Sequence, residues 1–310
     1  MTEPSELSTS SDETQEPGPA VSEAGGIAPG RGLWGDAVHD LIRNPMFIVP
    51  LLVVLAVVSM AVAPYLWTGI DPTYCPLLHS KEGPTAGHPF GFTIYGCDMY
   101  SQVIYGARPD IIIAVVCTAA TTLLGVAFGT VAGFFGRWAD VLISRATDIF
   151  FGLPFILAAL IILSIMQSHS VWSVSLVLIV FGWPQLTRIM RGSVLGTKNR
   201  DYVEAARALG ARNSRIVFRH ILPNAIAPAI VLATIALGGF VSAEATLTFL
   251  GIGLEQPTIS WGVLITDGQN WAVTGFWHLL VFPCGFLLAT VFSFILLGDA
   301  LRDALDPKLR

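Results

Sequence analysis

Long apolar runs without charged residues dominate the pattern of this chain. They cover residues 46–70, 111–136, 149–187, 220–243 and 268–298. A helix needs about 20 apolar residues to cross the hydrocarbon core of a bilayer, so each run is long enough for at least one span. The apolar residues are continuous rather than alternating, which disfavours a transmembrane barrel. The pattern therefore predicts an all-helical, polytopic membrane protein.

The third run is too long for a single helix. The polar segment Gln167-Ser168-His169-Ser170 interrupts it, which predicts a hairpin of two short spans. Pro154 and Pro184 should bend these two spans because proline removes a backbone donor. We therefore predict six transmembrane helices, over residues 46–67, 111–135, 149–166, 171–190, 225–250 and 278–298.

The segments outside the spans have distinct compositions. Residues 1–32 are rich in Ser, Thr, Glu, Pro and Gly and are predicted to be a disordered tail. Residues 33–44 place apolar side chains on one helical face, which predicts an interfacial amphipathic helix, with a poorly ordered lead-in as the alternative. A polar loop over 68–108 follows the first span, the core of five further helices covers 109–300, and residues 301–310 form a short tail.

Charge fixes the expected orientation and narrows the function. With both termini cytoplasmic, the cytoplasmic segments hold fifteen Lys and Arg residues, whereas the opposite side holds only Lys81 and Arg108. The positive-inside rule therefore predicts that both termini are cytoplasmic. Only 13% of residues are charged and 53% are hydrophobic, which argues against an ordinary soluble enzyme. The net charge of −5 offers no basic surface for a nucleic acid.

Two cysteines, Cys75 and Cys97, lie in the polar loop that is predicted to face the oxidising side. A disulfide between them is chemically permitted, and two free thiols are the alternative. Neither a C-x-x-C nor an H-E-x-x-H spacing occurs in the sequence, so no metal site is predicted.

A glycine stripe marks the second predicted span. Gly125, Gly129 and Gly133 are four residues apart and therefore fall on one helical face. Such small residues let a neighbouring helix approach closely, so the stripe predicts a helix-packing surface.

The long polar loop over 191–223 has the signals of two short helices. Asp201 can cap a helix over 202–209, with Glu204 completing a capping box, and Gly210 can end it. Asn213 or Ser214 can start a second helix through residue 221, and Pro223 is predicted to open the fifth span. Two helices joined by a glycine on the cytoplasmic side should form a protruding knob.

This loop resembles the EAA loop of ATP-binding-cassette import permeases. The resemblance is carried by Glu204-Ala205-Ala206, Gly210 and Leu222-Pro223 at the family spacing, and Arg219-His220-Ile221-Leu222-Pro223-Asn224 is similar to the dipeptide, oligopeptide and nickel branch. Further matching motifs of that branch are His88-Pro89-Phe90-Gly91, Ile104-Tyr105-Gly106-Ala107-Arg108, Thr248-Phe249-Leu250-Gly251-Ile252-Gly253, Ser260-Trp261-Gly262 and residues 297–307. The resemblance covers residues 45–310 and is greatest to the C-type permease subunit. One departure is Gly96-Cys97-Asp98, where the branch usually has Gly-Arg-Asp.

The resemblance implies a type I importer permease in a bacterial plasma membrane, with short peptides as cargo and nickel chelates or glutathione as alternatives. It implies a heterodimer with a homologous permease, two ATPase subunits or domains, and an extracytoplasmic solute-binding protein. The residues implied in ATPase coupling are Tyr202, Glu204, Ala205, Ala206, Leu209, Gly210, Leu222 and Pro223. The sequence has no G-x-x-x-x-G-K-[ST] phosphate loop, so we expect no cofactor in this subunit, with ATP and Mg²⁺ held by the ATPase partners.

Glu244 is the acidic residue that we place inside a predicted span, in its outer third. A carboxylate at that depth must face the bundle or a water-filled path. It either lines the mouth of the translocation pathway or fixes a neighbouring helix without touching cargo. A secondary transporter would typically place several ionisable residues at mid-membrane, and an integral-membrane enzyme would need a catalytic cluster, so both are weaker alternatives.

Overall fold

The structure is a computed structural model that describes residues 44–305. The predicted tail over 1–32 lies outside the described residues, and so do residues 306–310. Of the predicted interfacial helix over 33–44, only Asn44 is described.

Helices make up the architecture of the described residues, which contain two isolated β-bridges but no named strand. In chain order the helices are α1 (Pro45–Val62), α2 (Met99–Phe135), α3 (Arg137–Gly152), α4 (Phe155–Met166), α5 (Val171–Lys198), α6 (Asp201–Ala208), α7 (Ala227–Phe249), α8 (Trp261–Ala272) and α9 (His278–Leu305). Helices α1, α2, α5, α7 and α9 are long and apolar enough to cross a membrane. The prediction of an all-helical membrane fold is confirmed.

Helices α2 and α5 pack against each other along the glycine stripe. A Cβ atom added to Gly125 would lie 2.6 Å from Leu186 Cδ2. A Cβ on Gly129 would lie 2.7 Å from the carbonyl oxygen of Thr187, and one on Gly133 would lie 2.8 Å from Cβ of Val194. These distances are shorter than ordinary van der Waals contacts. The two helices can therefore approach this closely only because the three positions on α2 are glycines.

The span predicted over 149–166, with a bend at Pro154, is not one bent helix, because the structure breaks it into two at Leu153 and Pro154. Helix α3 ends at Gly152, α4 begins at Phe155, and the two axes differ by 86°. Leu153 adopts an extended backbone with φ −91° and ψ 126°, as expected for a residue that precedes proline. Helix α4 has only 12 residues, about 18 Å of rise, which is too short to cross the hydrocarbon core alone. Helices α3 and α4 together are long and apolar enough to form one bent span, which would be the sixth.

Helix α2 begins earlier than predicted and shortens the polar loop. The loop was expected to extend to residue 108, but α2 starts at Met99, where Asp98 accepts a hydrogen bond of 2.7 Å from the backbone N–H of Ser101. Pro109 lies inside this helix without ending it. The segment that contains Ile104-Tyr105-Gly106-Ala107-Arg108 is therefore helical rather than part of the loop.

The other predicted spans differ from the helices mainly at their ends. Helix α1 stops at Val62, just before Pro64, rather than at residue 67. Helices α5 and α9 each continue about two turns beyond the predicted ends at residues 190 and 298. Helix α8 was not predicted, because its 12 residues include the polar Thr266, Asp267, Gln269 and Asn270 and give no membrane-length apolar run.

Residues 63–98, the first loop, fold into a compact cap. The backbone N–H of Phe92 donates to Glu82 and that of Lys81 donates to Thr93, so two segments of the loop run side by side. Gly96 has φ +81°, and a Cβ there would lie 2.2 Å from the carbonyl oxygen of Pro76, which excludes any larger residue. Next to this close contact, the structure joins Cys75 and Cys97 through a disulfide that closes a 22-residue separation.

The glycine contact gives a matched test of helix packing. Gly129→Ala should destabilise the protein by about 1–3 kcal/mol, because the added methyl group meets backbone atoms of α5 that cannot move alone. Gly192→Ala is the control, since Gly192 lies on α5 with nothing within 4 Å of an added Cβ. Thermal unfolding of the detergent-solubilised protein should show a lower midpoint for Gly129→Ala alone. Equal midpoints for the two variants would contradict the close packing.

The disulfide is tested by peptide mapping of the full chain without reduction. We expect Cys75 and Cys97 in one linked fragment, and each as a separate alkylated peptide after reduction. Cys284 provides the internal control, because it is a free cysteine and should be alkylated under both conditions. Alkylation of Cys75 and Cys97 before reduction would refute the pairing.

Candidate functional site

Residues 201–225, which we call the knob, project from the ends of α2 and α5. Val203 on α6 is fully buried, and Ile216, Ile221 and Ala225 are buried with it. They pack in one apolar cluster against Phe134, Leu186, Met190 and Val194 of α2 and α5. The knob is therefore anchored to the close-packed helix pair by its inner face.

Gly210 ends α6 in a Schellman arrangement. The backbone N–H of Ala211 donates to Ala206 and that of Gly210 donates to Arg207. Gly210 has φ +79° and no heavy atom within 4 Å of an added Cβ. A larger side chain would therefore fit in the space at position 210, but most residues would be strained by the left-handed backbone conformation there.

Two details of the predicted knob need correction. Asp201 does not cap α6: it is the first helical residue, and the preceding Arg200 makes no side-chain cap. An acidic residue in the first turn still stabilises a helix through its dipole. The predicted second helix is a short turn, Asn213–Arg215, that continues into a π-helical turn, Ile216–Ile221, and Pro223 opens only the turn Leu222–Ala225 before α7.

The outer face of the knob is exposed and contains large apolar side chains. Leu209 is 88% exposed and Phe218 is 70% exposed, while Tyr202 is about two-fifths exposed. Glu204 and Ala205 are also exposed, whereas Ala206 and Leu222 are half-buried. Isolated apolar residues on a surface are common, but two large ones on a single small projection indicate a contact surface.

Ion pairs connect the bent segment to the helix that carries the knob. Arg191 on α5 forms a bidentate pair with Asp140 on α3. Arg188, one turn earlier, donates to Asp148 of α3 over 2.7 Å. These contacts join α3 to α5 near the knob.

Glu244 is completely buried in the body of the bundle. Its Oε1 atom accepts hydrogen bonds from Thr248 over 2.8 Å and from Ser260 over 3.3 Å. Gly262 leaves room for the same oxygen, since an added Cβ would lie 3.1 Å from it. Glu244 thus has no exposed surface in this chain, and its hydrogen bonds come from Thr248 of its own helix and from Ser260 at the start of α8.

Asp110 is a second buried acid that the sequence analysis missed. It lies on α2 with no exposed surface, and its Oδ2 atom accepts a hydrogen bond of 3.2 Å from the backbone N–H of Trp261. The predicted second span begins at residue 111, so Asp110 falls just outside it, directly after Pro109. The signal that could have placed it inside a helix is Asp98, a cap residue eleven positions before the proline.

Two of the cavities among the described residues lie next to the first loop and to the α3–α4 bend. One, of about 350 Å³, lies between the first loop and α8 and is lined by polar groups that include Tyr95, Gln102, Gln256 and Asp267. Burial raises the pKa of the Asp267 carboxyl, and the hydrogen bonds that it accepts from Gln256 and Tyr95 oppose that rise. The other cavity, of about 340 Å³, is lined by Phe150, Phe155, Phe181, Phe240 and Gln185 at the bend between α3 and α4. Among residues 44–305, no group of three or more His, Cys, Asp or Glu side chains is placed to hold a metal ion.

The sequence matches known transport proteins over most of its length. The profile of the binding-protein-dependent transport system inner membrane component family matches residues 125–310. The oligopeptide transport system permease protein OppC of Bacillus subtilis is 36% identical, covering 90% of both chains. The dipeptide permease DppC of Alkalihalophilus pseudofirmus is 34% identical over 89% of this chain and 90% of its own. The glutathione permease GsiD of Pectobacterium atrosepticum is 32% identical over 94% of this chain and 95% of its own.

The fold also matches a solved structure. A chain of the methionine ABC transporter MetNI, in an inward-facing conformation, superimposes with a TM-score of 0.54 at 21% identity. The match covers 67% of this chain and 98% of that one. At this level of identity the likeness shows the fold alone.

Proposed function

Since this chain belongs to the family of binding-protein-dependent transport system inner membrane components, we propose that it is a permease subunit of an ATP-driven importer of short peptides. It acts as a non-catalytic membrane component. Its relatives named for oligopeptide and dipeptide transport support peptides as the cargo. The relative named for glutathione makes that tripeptide the second candidate.

The observation that carries the proposal is the knob. It has an inner face buried against α2 and α5 and an outer face on which Leu209 and Phe218 are largely exposed. A rigidly anchored projection with an apolar tip can transmit force from a docked partner into the membrane helices. We assign this contact to the ATPase subunit, with Glu204, Ala205 and Gly210 in the projecting helix and its turn.

The orientation and the partners follow from that assignment. The knob faces the cytoplasm, both termini lie on the same side, and two ATPase subunits or domains hold ATP and Mg²⁺ there. The first loop and α8 face the opposite side, where a solute-binding protein delivers the cargo. A homologous permease subunit completes the pathway, and the aromatic cavity at the α3–α4 bend is the part of this chain that we place along it.

Uptake measurements test the cargo directly. The full complex, co-expressed with its binding protein and reconstituted in vesicles, should take up labelled di- and tripeptides only when ATP is present on the knob side. Glutathione and a nickel chelate are the comparison cargoes in the same vesicles. ATP-dependent uptake of glutathione or of the nickel chelate, without uptake of the other labelled di- and tripeptides, would replace the assignment of general short peptides while leaving the permease assignment intact.

The role of Gly210 gives a sharper test of the knob. Gly210→Val should uncouple ATP hydrolysis from peptide uptake, because the left-handed backbone costs a β-branched residue about 1–2 kcal/mol and the knob would be misaligned. Gly210→Asn is the matched control, since asparagine tolerates this conformation much better. The two activities should be measured on the same reconstituted complex, with assembly checked by co-purification.

Two outcomes decide this prediction. Lost uptake with continued ATP hydrolysis in Gly210→Val, together with near-normal uptake in Gly210→Asn, supports coupling through the knob. Normal uptake by Gly210→Val in an assembled complex would contradict it.

A further inference from the structure

Asp110 and Glu244 lie side by side in the interior, although they come from different helices. Both side chains have no exposed surface, and they bind two consecutive residues, Asp110 at the backbone N–H of Trp261 and Glu244 at the Ser260 hydroxyl. Among residues 44–305, no Lys, Arg or His side chain lies within 4.0 Å of either carboxyl group. The pair therefore lacks the cation that normally accompanies buried acids.

The groups that do face the pair are hydrogen-bond donors near the start of α8. The backbone N–H of Trp261 donates to Asp110 Oδ2, and the Ser260 hydroxyl donates to Glu244 Oε1. Ser260 also caps α8 by accepting from the backbone N–H of Val263. The Thr248 hydroxyl provides a third donor, from α7 itself. These donors favour one negative charge on the pair, and the N-terminus of α8 adds its dipole.

One oxygen of each carboxyl group is left without a partner. Asp110 Oδ1 and Glu244 Oε2 are both buried and accept no hydrogen bond from any described residue. Two ionised carboxylates would repel each other in a low-dielectric interior and leave both oxygens unsatisfied. Two protonated carboxyls would leave one O–H without an acceptor. A single proton shared by the two carboxyl groups removes the repulsion and supplies a donor that this acceptor-only pair lacks.

We propose that Asp110 and Glu244 share one proton and that the resulting pair, with a single negative charge, fastens the start of α8 to α2 and α7. This proposal goes beyond peptide import and does not depend on the identity of the cargo. It makes Asp110 and Glu244 positioning residues for α8, which lines the cavity beneath the first loop.

The other charged groups on the surrounding elements are either exposed or contact groups outside the pair. Arg108, on α2, is exposed, and Asp267, on α8, accepts from Gln256. On α7 there is no ionisable residue besides Glu244. Glu255, between α7 and α8, lies beside His169, and His278 of α9 lies next to the Phe92 carbonyl oxygen. The state of the pair is therefore set by its own proton and its three donors.

Infrared spectroscopy of the full-length chain, purified with its co-expressed partners in lipid nanodiscs, tests the shared proton. Wild-type protein should show one C=O stretching band of a protonated carboxyl group that is lost in Asp110→Asn and equally lost in Glu244→Gln. Each substitution leaves a single carboxylate, and the new amide N–H takes the place of the shared proton. Glu255→Gln is the control, because its side chain is 56% exposed, and it should leave the band unchanged.

The alternative protonation states give different spectra. If both groups carry a proton, each single variant retains one band, and if neither does, the wild type has no band to lose. Either result would overturn the proposal. Loss of the band in both single variants, with the control unchanged, supports it.

Hydrogen exchange tests whether the pair fastens α8. Asp110→Val removes the acceptor of the Trp261 N–H, so exchange of peptides that cover the start of α8 should become about tenfold faster, the effect of losing about 1.4 kcal/mol. Asp110→Asn keeps an oxygen acceptor and should exchange like the wild type. Equal protection of α8 in all three proteins would refute the fastening role.

Discussion

The close approach of α2 and α5 is the contact on which the rest of the structure depends. Lipid tails are as apolar as leucine side chains, so helices in a bilayer associate through packing and hydrogen bonds rather than through hydrophobic burial. Gly125, Gly129 and Gly133 allow the backbone of α5 to approach α2 directly. The knob packs on the ends of the same two helices. The knob is thus held by side-chain packing on a helix pair whose spacing is set by backbone contact.

Features set by local backbone chemistry are readable from the sequence. The four-residue spacing of the glycines places them on one face in any helix, and Gly210 ends α6 as a glycine after a short helical segment is expected to do. The two prolines show the limit of such reasoning. Pro154 breaks its helix, as the extended backbone of Leu153 shows, whereas Pro109 lies within a continuous α2. Near Pro109 the α2 backbone also has a long-range contact, since the Trp261 indole N–H donates to the carbonyl oxygen of Val103 over 2.9 Å.

Features set by long-range contacts are not readable in the same way. Helix α8 gives no apolar run, and its position depends on Trp261, whose side chain is fully buried among residues that are distant in sequence. Asp110 and Glu244 come from helices far apart in the chain, and neither neighbourhood alone indicates that they meet. The sequence could therefore show that Glu244 needs a partner, but it could not identify Asp110 as that partner.

The two polar sites of the protein meet the constraints of a membrane in opposite ways. On the knob, charged and apolar groups remain exposed, as the proposed contact with an ATPase subunit requires. In the interior, two carboxyl groups are sequestered, and a helix that does not span the membrane supplies donors at their depth. Ser260 and Trp261 compensate one negative charge without a basic residue, which is consistent with the general rule that buried charge requires hydrogen bonds or a counter-ion. A second negative charge on the pair would have no such compensation. In the proposed arrangement, the position of α8 therefore depends on the shared proton of Asp110 and Glu244.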